Sequence, residues 1–170
     1  MTRYFGSVLL IAFFCGIFSC HYSNEYQPVN AGNKFTISVP GWMKETNELK
    51  PGAPFQYSNR FRNFYAIGTV DDKTHFNEPL SAVMNNNLNI LRKVLTNPVL
   101  TDSVQVEIGG LKGIRAEIFG KMTGENVYYS EVVLEGPKDI YHLSVWTRGE
   151  DRKLKFKEDI NRILNSFKRI

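Results

Sequence analysis

The sequence predicts an α+β domain: one mainly antiparallel sheet of about seven strands with two main helices packed on it. Three observations carry this. Stretches of alternating apolar and polar residues recur through the chain, tight turn signals join the later ones directly, and helical spacing appears only twice, near 77–96 and 151–167. Strands do not alternate with helices throughout, which excludes a doubly wound parallel sheet. The chain has 170 residues, 42% hydrophobic and 22% charged, which fits a single globular domain and not a disordered chain.

Phe35, Ile37 and Val39 alternate with Lys34, Thr36 and Ser38, the period of a half-buried strand, and Pro40-Gly41 turns it just before Trp42. Phe55-Gln56-Tyr57 reads as a short strand after the Pro51–Pro54 loop, and Phe64–Val70 as a firmer one stopped by Asp71-Asp72. The first helix is expected over Asn77–Thr96. Asn77 offers a cap, and Leu80, Met84, Leu88, Leu91 and Leu95 form a stripe at spacings of three and four. Asn97-Pro98 stops it. Asn85-Asn86-Asn87 is poor helix material, so packing of the stripe has to hold this helix.

A meander follows. Val99–Ile108 alternates, Gly109-Gly110 makes a two-residue hairpin turn, and Lys112–Gly120 returns with Ile114, Ala116 and Ile118 inward. Thr123-Gly124-Glu125 turns into Val127–Leu134, and the turn at 135–139 leads to Ile140–Thr147. The last helix starts near Asp151, a suitable cap, and buries Phe156, Ile160, Ile163, Leu164 and Phe167. Lys153, Lys155, Lys157 and Arg162 decorate its other side, diluted by acidic neighbours, which reads as a solvated face.

Residues 1–19 have the pattern of a secretory signal peptide: a single charge at Arg3, an apolar run from Val8 to Phe18, and a small residue at Ser19. The run is too short to span about 30 Å of hydrocarbon. Ile17-Phe18-Ser19-Cys20 resembles a bacterial lipobox, although Phe18 departs from the commoner residue type at its position. That resemblance implies diacylglyceryl transfer to the Cys20 sulfur, cleavage between Ser19 and Cys20, and acylation of the new amino group with a fatty acid such as palmitate. Two or more acyl chains hold a protein stably on a membrane. Residues 20–32 are then expected to be a polar lipidated tether, and 33–170 the folded domain. The expected address is the bacterial cell envelope, on the periplasmic side in preference to the cell surface.

Loss of residues 1–19 leaves 151 residues with 20 basic and 17 acidic side chains, a formal charge of +3. Cys15 leaves with the signal and Cys20 is blocked, so no free thiol remains for catalysis or metal ligation. The small charge and the compartment argue against nucleic acid as a partner.

FTISVPGW at 35–42 and IYHLSVWTRGEDRKLKFKEDINRILNSFK at 140–168, with a central helix and hairpins between them, resemble the PsbP-like superfamily over residues 33–170. The resemblance implies an α/β/α sandwich around an antiparallel sheet, with Trp42, Trp146 and Phe167 as packing positions. It also implies an accessory or binding role. Known branches assist photosystems or bind a small GTPase in nuclear import, and neither role fits an exported lipoprotein. No functional residue carries over.

Catalytic motifs are absent. The chain after residue 19 holds no Gly-x-Ser-x-Gly elbow and no zinc-protease motif, and Gly109–Gly113 sits between strands, unlike a phosphate loop. Four weaker constellations exist. His75 and His142 could each serve a triad; Asp71, Asp72 and His75 could touch one cation; Glu117 and Glu131 could pair if their strands align. The fourth is Arg60-Phe61-Arg62, expected at the tip of the Ser58–Asn63 turn, where an aromatic between two cations has the composition of a binding hot spot. No cofactor, metal site or catalytic residue is expected. The function expected is a non-catalytic accessory or binding module for an envelope protein complex. The alternatives are a small-ligand carrier, which needs an apolar cavity between sheet and helix, and an envelope hydrolase with a dispersed site. The mark of the hydrolase is a polar pocket gathering His142, Glu131 or Asp71.

Overall fold

In the computed structural model, which describes residues 25–101 and 103–170, the chain runs through eleven strands and two α-helices. They are β1 (Tyr26–Ala31), β2 (Phe35–Pro40), β3 (Lys44–Glu45), β4 (Phe55–Asn59), β5 (Phe64–Asp72), α1 (Leu80–Val94), β6 (Thr96–Leu100), β7 (Val104–Ile108), β8 (Leu111–Met122), β9 (Glu125–Glu135), β10 (Asp139–Arg148), α2 (Arg152–Asn165) and β11 (Lys168–Arg169). A 3-10 turn at Lys73–His75 follows β5.

The main sheet is antiparallel, in the order β3-β4-β5-β10-β9-β8, with β6 and β7 lying end to end along the outer edge of β8. A second sheet, β1-β2-β11, holds the start of the domain to its end. Helix α1 packs on β8 and β9 from one side. Helix α2 packs on β10 and β9 from the other and reaches β2. The result is the expected α/β/α sandwich, with eight strands in the large sheet and the small sheet sharing the layer of α2.

The two faces carry different cores. Toward α2, Phe35, Phe55, Phe64, Tyr141, Phe156 and Phe167 are all at most 2% exposed. Their rings meet at centroid distances of 5.0–6.2 Å, as between Phe64 and Phe156 at 5.0 Å and Phe35 and Phe55 at 6.2 Å. Each such side chain contributes roughly 1.5–3 kcal/mol of transfer free energy. Gly68 makes room for this cluster, because a Cβ there would meet the Phe35 ring at 2.8 Å. Toward α1 the core is aliphatic: Val83, Met84 and Leu88 bury against Ala116, Ile118 and Val133. A ladder of stacked rings, Tyr65–Trp146–Tyr129, crosses β5, β10 and β9 on this same face at 5.2 and 5.5 Å. The three residues are direct register partners.

Several boundaries depart from expectation. The segment expected as tether, 20–32, contains β1, so the folded domain includes Tyr26–Ala31 and does not start at 33. β1 pairs with β2 along its whole length, and only Tyr26, Val29 and Ala31 turn inward. Helix α1 is shorter than 77–96. Pro79, not Asn77, stands at its cap position, at φ −65° and ψ 154°, and the residue before a proline is held extended. At the other end Leu95 leaves helical geometry so that Thr96 can join β6. Pro98 sits within that edge strand, where its missing N–H costs nothing. Asp151 precedes α2 in the left-handed region, φ 55°, and its side chain caps nothing, because a side-chain cap needs extended backbone. The Gly109-Gly110 turn is as expected, with φ of 59° and 77°.

Candidate functional site

The β4–β5 hairpin brings Arg60, Phe61 and Arg62 to its tip. The turn closes with Asn63 N–H donating to the Arg60 carbonyl at 3.2 Å, and Asn59 Oδ1 accepts the Arg62 N–H at 2.9 Å. Asn63 supplies the left-handed backbone the turn requires, φ 49°. The three side chains then diverge. Phe61 is 95% exposed. Arg60 pairs with Glu48 across the loop. Arg62 lies over the Trp42 ring with its guanidinium 4.7 Å from the centroid, and the Arg62 carbonyl accepts a hydrogen bond from Arg152 on α2 at 3.1 Å. Trp42 itself is 3% exposed and packs against Phe64 and Phe156. The base of the tip is thus held in place: one cation lies over a buried ring, one is ion-paired, and one aromatic ring projects into solvent. A recess of about 210 Å³, lined by Trp42, Lys44, Ser58, Asn59, Arg60 and Phe61, lies beside that ring.

A second site lies on the opposite face of the sheet, where α1 leaves β5 and β10 uncovered. A pocket of about 230 Å³ gathers Thr69 and Asp71 of β5, Glu131 of β9, His142 and Ser144 of β10, and Asn87 of α1, with Lys50 also lining it. It brings together all three residues named as the mark of the hydrolase reading, His142, Glu131 and Asp71. Ser144 stands directly opposite Glu131 in the β10–β9 register and donates its hydroxyl hydrogen to the carboxylate. Glu131 is 6% exposed, and burial pushes its carboxyl up to about 7, with the Ser144 hydrogen bond pulling the other way. His142 Nδ1 lies 2.9 Å from the Asn87 side-chain nitrogen, and its Nε2 lies 3.2 Å from Asp71 Oδ2. That second approach is out of line, so Nε2 is buried without a hydrogen bond. Burial holds the imidazole below its ordinary value, with Asp71 opposing the shift. Ser144 and His142 thus have different partners, and the arrangement is not that of a nucleophile leaning on its base.

The remaining candidates separate. Glu117 and Glu131 do not pair. Glu117 stands opposite Ser130, so the two carboxylates are one residue out of step and point to opposite faces. Glu117 instead joins Arg115 at 3.3 Å and Lys153 at 3.4 Å, on the α2 side. Asp71 turns to His142, whereas Asp72 accepts the N–H and hydroxyl of Thr74, and His75 is exposed. Among the described residues no group of three or more His, Cys, Asp or Glu is arranged to hold a metal. Two cations of α2 lie close against rings: Lys153 Nζ is 4.6 Å from the Tyr128 centroid, and the Arg162 guanidinium 3.9 Å from that of Tyr26. Ser19 and Cys20, the expected cleavage and lipidation site, lie outside the described residues. Sequence reasoning missed Ser144, Thr69, Asn87 and Lys50. The signal available was Glu131 itself, a lone carboxyl inside the apolar run Val127–Leu134.

No family model matches the chain, and no curated protein sequence matches it. Solved structures do. Cyanobacterial PsbP (CyanoP) from Synechocystis sp. PCC 6803 superimposes with a TM-score of 0.61 at 12% identity, covering 97% of this chain and 98% of its own. LpqN of Mycobacterium tuberculosis, described as involved in cell envelope biogenesis, gives 0.60 at 13% identity over 85% of this chain and 90% of its own. The Saccharomyces cerevisiae Ran-binding protein Mog1p gives 0.61 at 12% identity over 85% and 95%. Identities this low speak for architecture alone. The early strand ending in Pro40-Gly41-Trp42, the meander and the closing helix are therefore the parts of one known architecture: the chain has the PsbP-like fold.

Proposed function

We propose that this protein is a lipid-anchored accessory module of the bacterial cell envelope that docks a protein partner through its β4–β5 tip and performs no catalysis itself. The observation that carries the reading is Phe61: a large aromatic side chain 95% exposed at the end of a hairpin whose base is fixed by the aromatic core. An exposed ring on a rigid mount loses little conformational freedom on binding, and aromatic and Arg side chains dominate interface energetics. One feature supports a non-catalytic role: Ser144 and His142 are engaged with separate partners. The likeness to LpqN supports an envelope setting, as does the lipobox-like Ile17–Cys20. Among the described residues no helix is long and apolar enough to cross a membrane. The anchor proposed is the acylated Cys20 of that lipobox-like stretch.

The experiment is affinity capture from detergent-solubilised envelopes with the parent, with Phe61→Ala, and with the Arg60/Phe61/Arg62 triple Ala variant. A partner recovered by the parent and lost with Phe61→Ala, while the unfolding midpoint stays put, supports the reading. The same partner recovered equally by the parent and both variants removes the tip as the docking face. Cys20→Ala should abolish lipid labelling and release the protein from membranes; unchanged labelling defeats the anchor.

A further inference from the structure

Glu131 sits at the centre of the large sheet, on a strand whose other buried residues from Val127 to Leu134 carry no charge. Val133, two residues along on the same face, is apolar and fully buried. Among the described residues Glu131 has the Ser144 hydroxyl as its hydrogen-bond donor and takes part in no ion pair. An acid held out of water with so little compensation is costly, and such positions concentrate at functional sites.

The pocket over Glu131 sets two carboxyl groups, Glu131 and Asp71, beside a His142 Nε2 that is buried without a hydrogen bond. Glu131 and Asp71 accept, Ser144 has already given its hydrogen to Glu131, and the Asn87 amide is turned to His142. Lys50 supplies a cation among the lining residues, which also include the Thr69 hydroxyl. Ile90 and Leu91 add an apolar side. The volume, about 230 Å³, is below that of a drug-sized site. What the pocket lacks is a compact group with several N–H donors and a positive charge, which is a protonated primary amine. What Lys50 lacks is an anion.

We propose that this pocket binds a small zwitterion of the α-amino-acid class, with its ammonium on Glu131 and Asp71, its carboxylate toward Lys50, and its side chain against Ile90 and Leu91. The site is independent of the docking tip. From Asn63 to Thr69 is six residues of β5, or about 20 Å at the rise of a strand.

The test is an amide-shift NMR titration of the full folded domain with L-alanine, beside ethylammonium and acetate as half-ligands. L-Alanine should move the amides of Glu131, His142 and Ser144 saturably, ethylammonium should do so more weakly, and acetate should leave them in place. Glu131→Gln keeps the shape, removes the charge, and should weaken L-alanine about tenfold or more. Lys50→Ala changes an exposed residue, so folding is not at issue, and should reduce L-alanine to the affinity of ethylammonium. No saturable shift with L-alanine up to about 10 mM overturns the proposal. So does a Glu131→Gln variant that binds as the parent does, or ethylammonium binding as tightly as L-alanine to the parent. Phe61→Ala should leave the titration unchanged, which separates a failure here from a failure of the docking reading.

Discussion

The two faces of the large sheet are built for different purposes. The face under α2 is dry and aromatic: Phe35, Phe55, Phe64, Tyr141, Phe156 and Phe167 fill it from two sheets and a helix. The face under α1 is aliphatic where the helix covers β8 and β9, carries the Tyr65–Trp146–Tyr129 ladder at one end, and turns polar over the part of β5 and β10 that holds Thr69, Asp71, His142 and Ser144. The difference teaches where stability resides. Aromatic packing on one side supplies enough of it that the other can hold a carboxyl and an imidazole away from water.

The largest effect expected comes from breaking the dry face. Phe167→Ala should cost about 3–5 kcal/mol, read as a shift of the urea midpoint, because the ring is fully buried against Phe35 and Tyr141. A negligible shift means that the end of the chain does not close the core.

Glu131→Gln sharpens the contrast, because its sign depends on pH. The folded carboxyl titrates at about 7, above its ordinary value of 4.5. The folded state therefore keeps a proton that the unfolded chain has lost, and parent stability falls as pH rises from 4.5 to 7. The Gln variant escapes that fall. It should match the parent near pH 4 and exceed it by about 3 kcal/mol near pH 8. His142 acts in the opposite direction: its lowered value costs stability as pH drops below its ordinary range. Equal unfolding curves for parent and Gln variant at pH 8 would mean that the carboxyl is not held as buried as the fold places it.

The tip gives the smallest stability effects and the cleanest division of roles. Arg62→Ala should cost about 1 kcal/mol, from the lost cation–π contact with Trp42. Phe61→Ala should stay within about 0.5 kcal/mol of the parent, since the ring touches solvent. If Phe61→Ala destabilises more than Arg62→Ala, the tip is a packing element and not a presented surface.

Much of this was legible in the chain because local rules write it there. A strand with one buried face has to alternate, as Phe35–Val39 does, and Gly109-Gly110 accepts the positive φ of a hairpin turn. The stripe from Leu80 to Leu91 has the period of a helix whatever it packs on. Arg60-Phe61-Arg62 reached the turn tip because two adjacent strands leave the residues between them nowhere else to go. β1 escaped because its inward residues are Tyr26, Val29 and Ala31, which have no period of two; its partner β2 makes it a strand. The polar pocket escaped for a stronger reason. Glu131, His142 and Asp71 come from three strands, and register alone sets Ser144 across from Glu131 while turning Glu117 to the other side. A slip of one residue reverses every side chain in a strand. The sequence by itself therefore determined the two helices, the central strands and the tight turns, since their causes lie within a few residues. The tertiary structure alone decided which polar groups share a cavity, since that depends on how separate strands align.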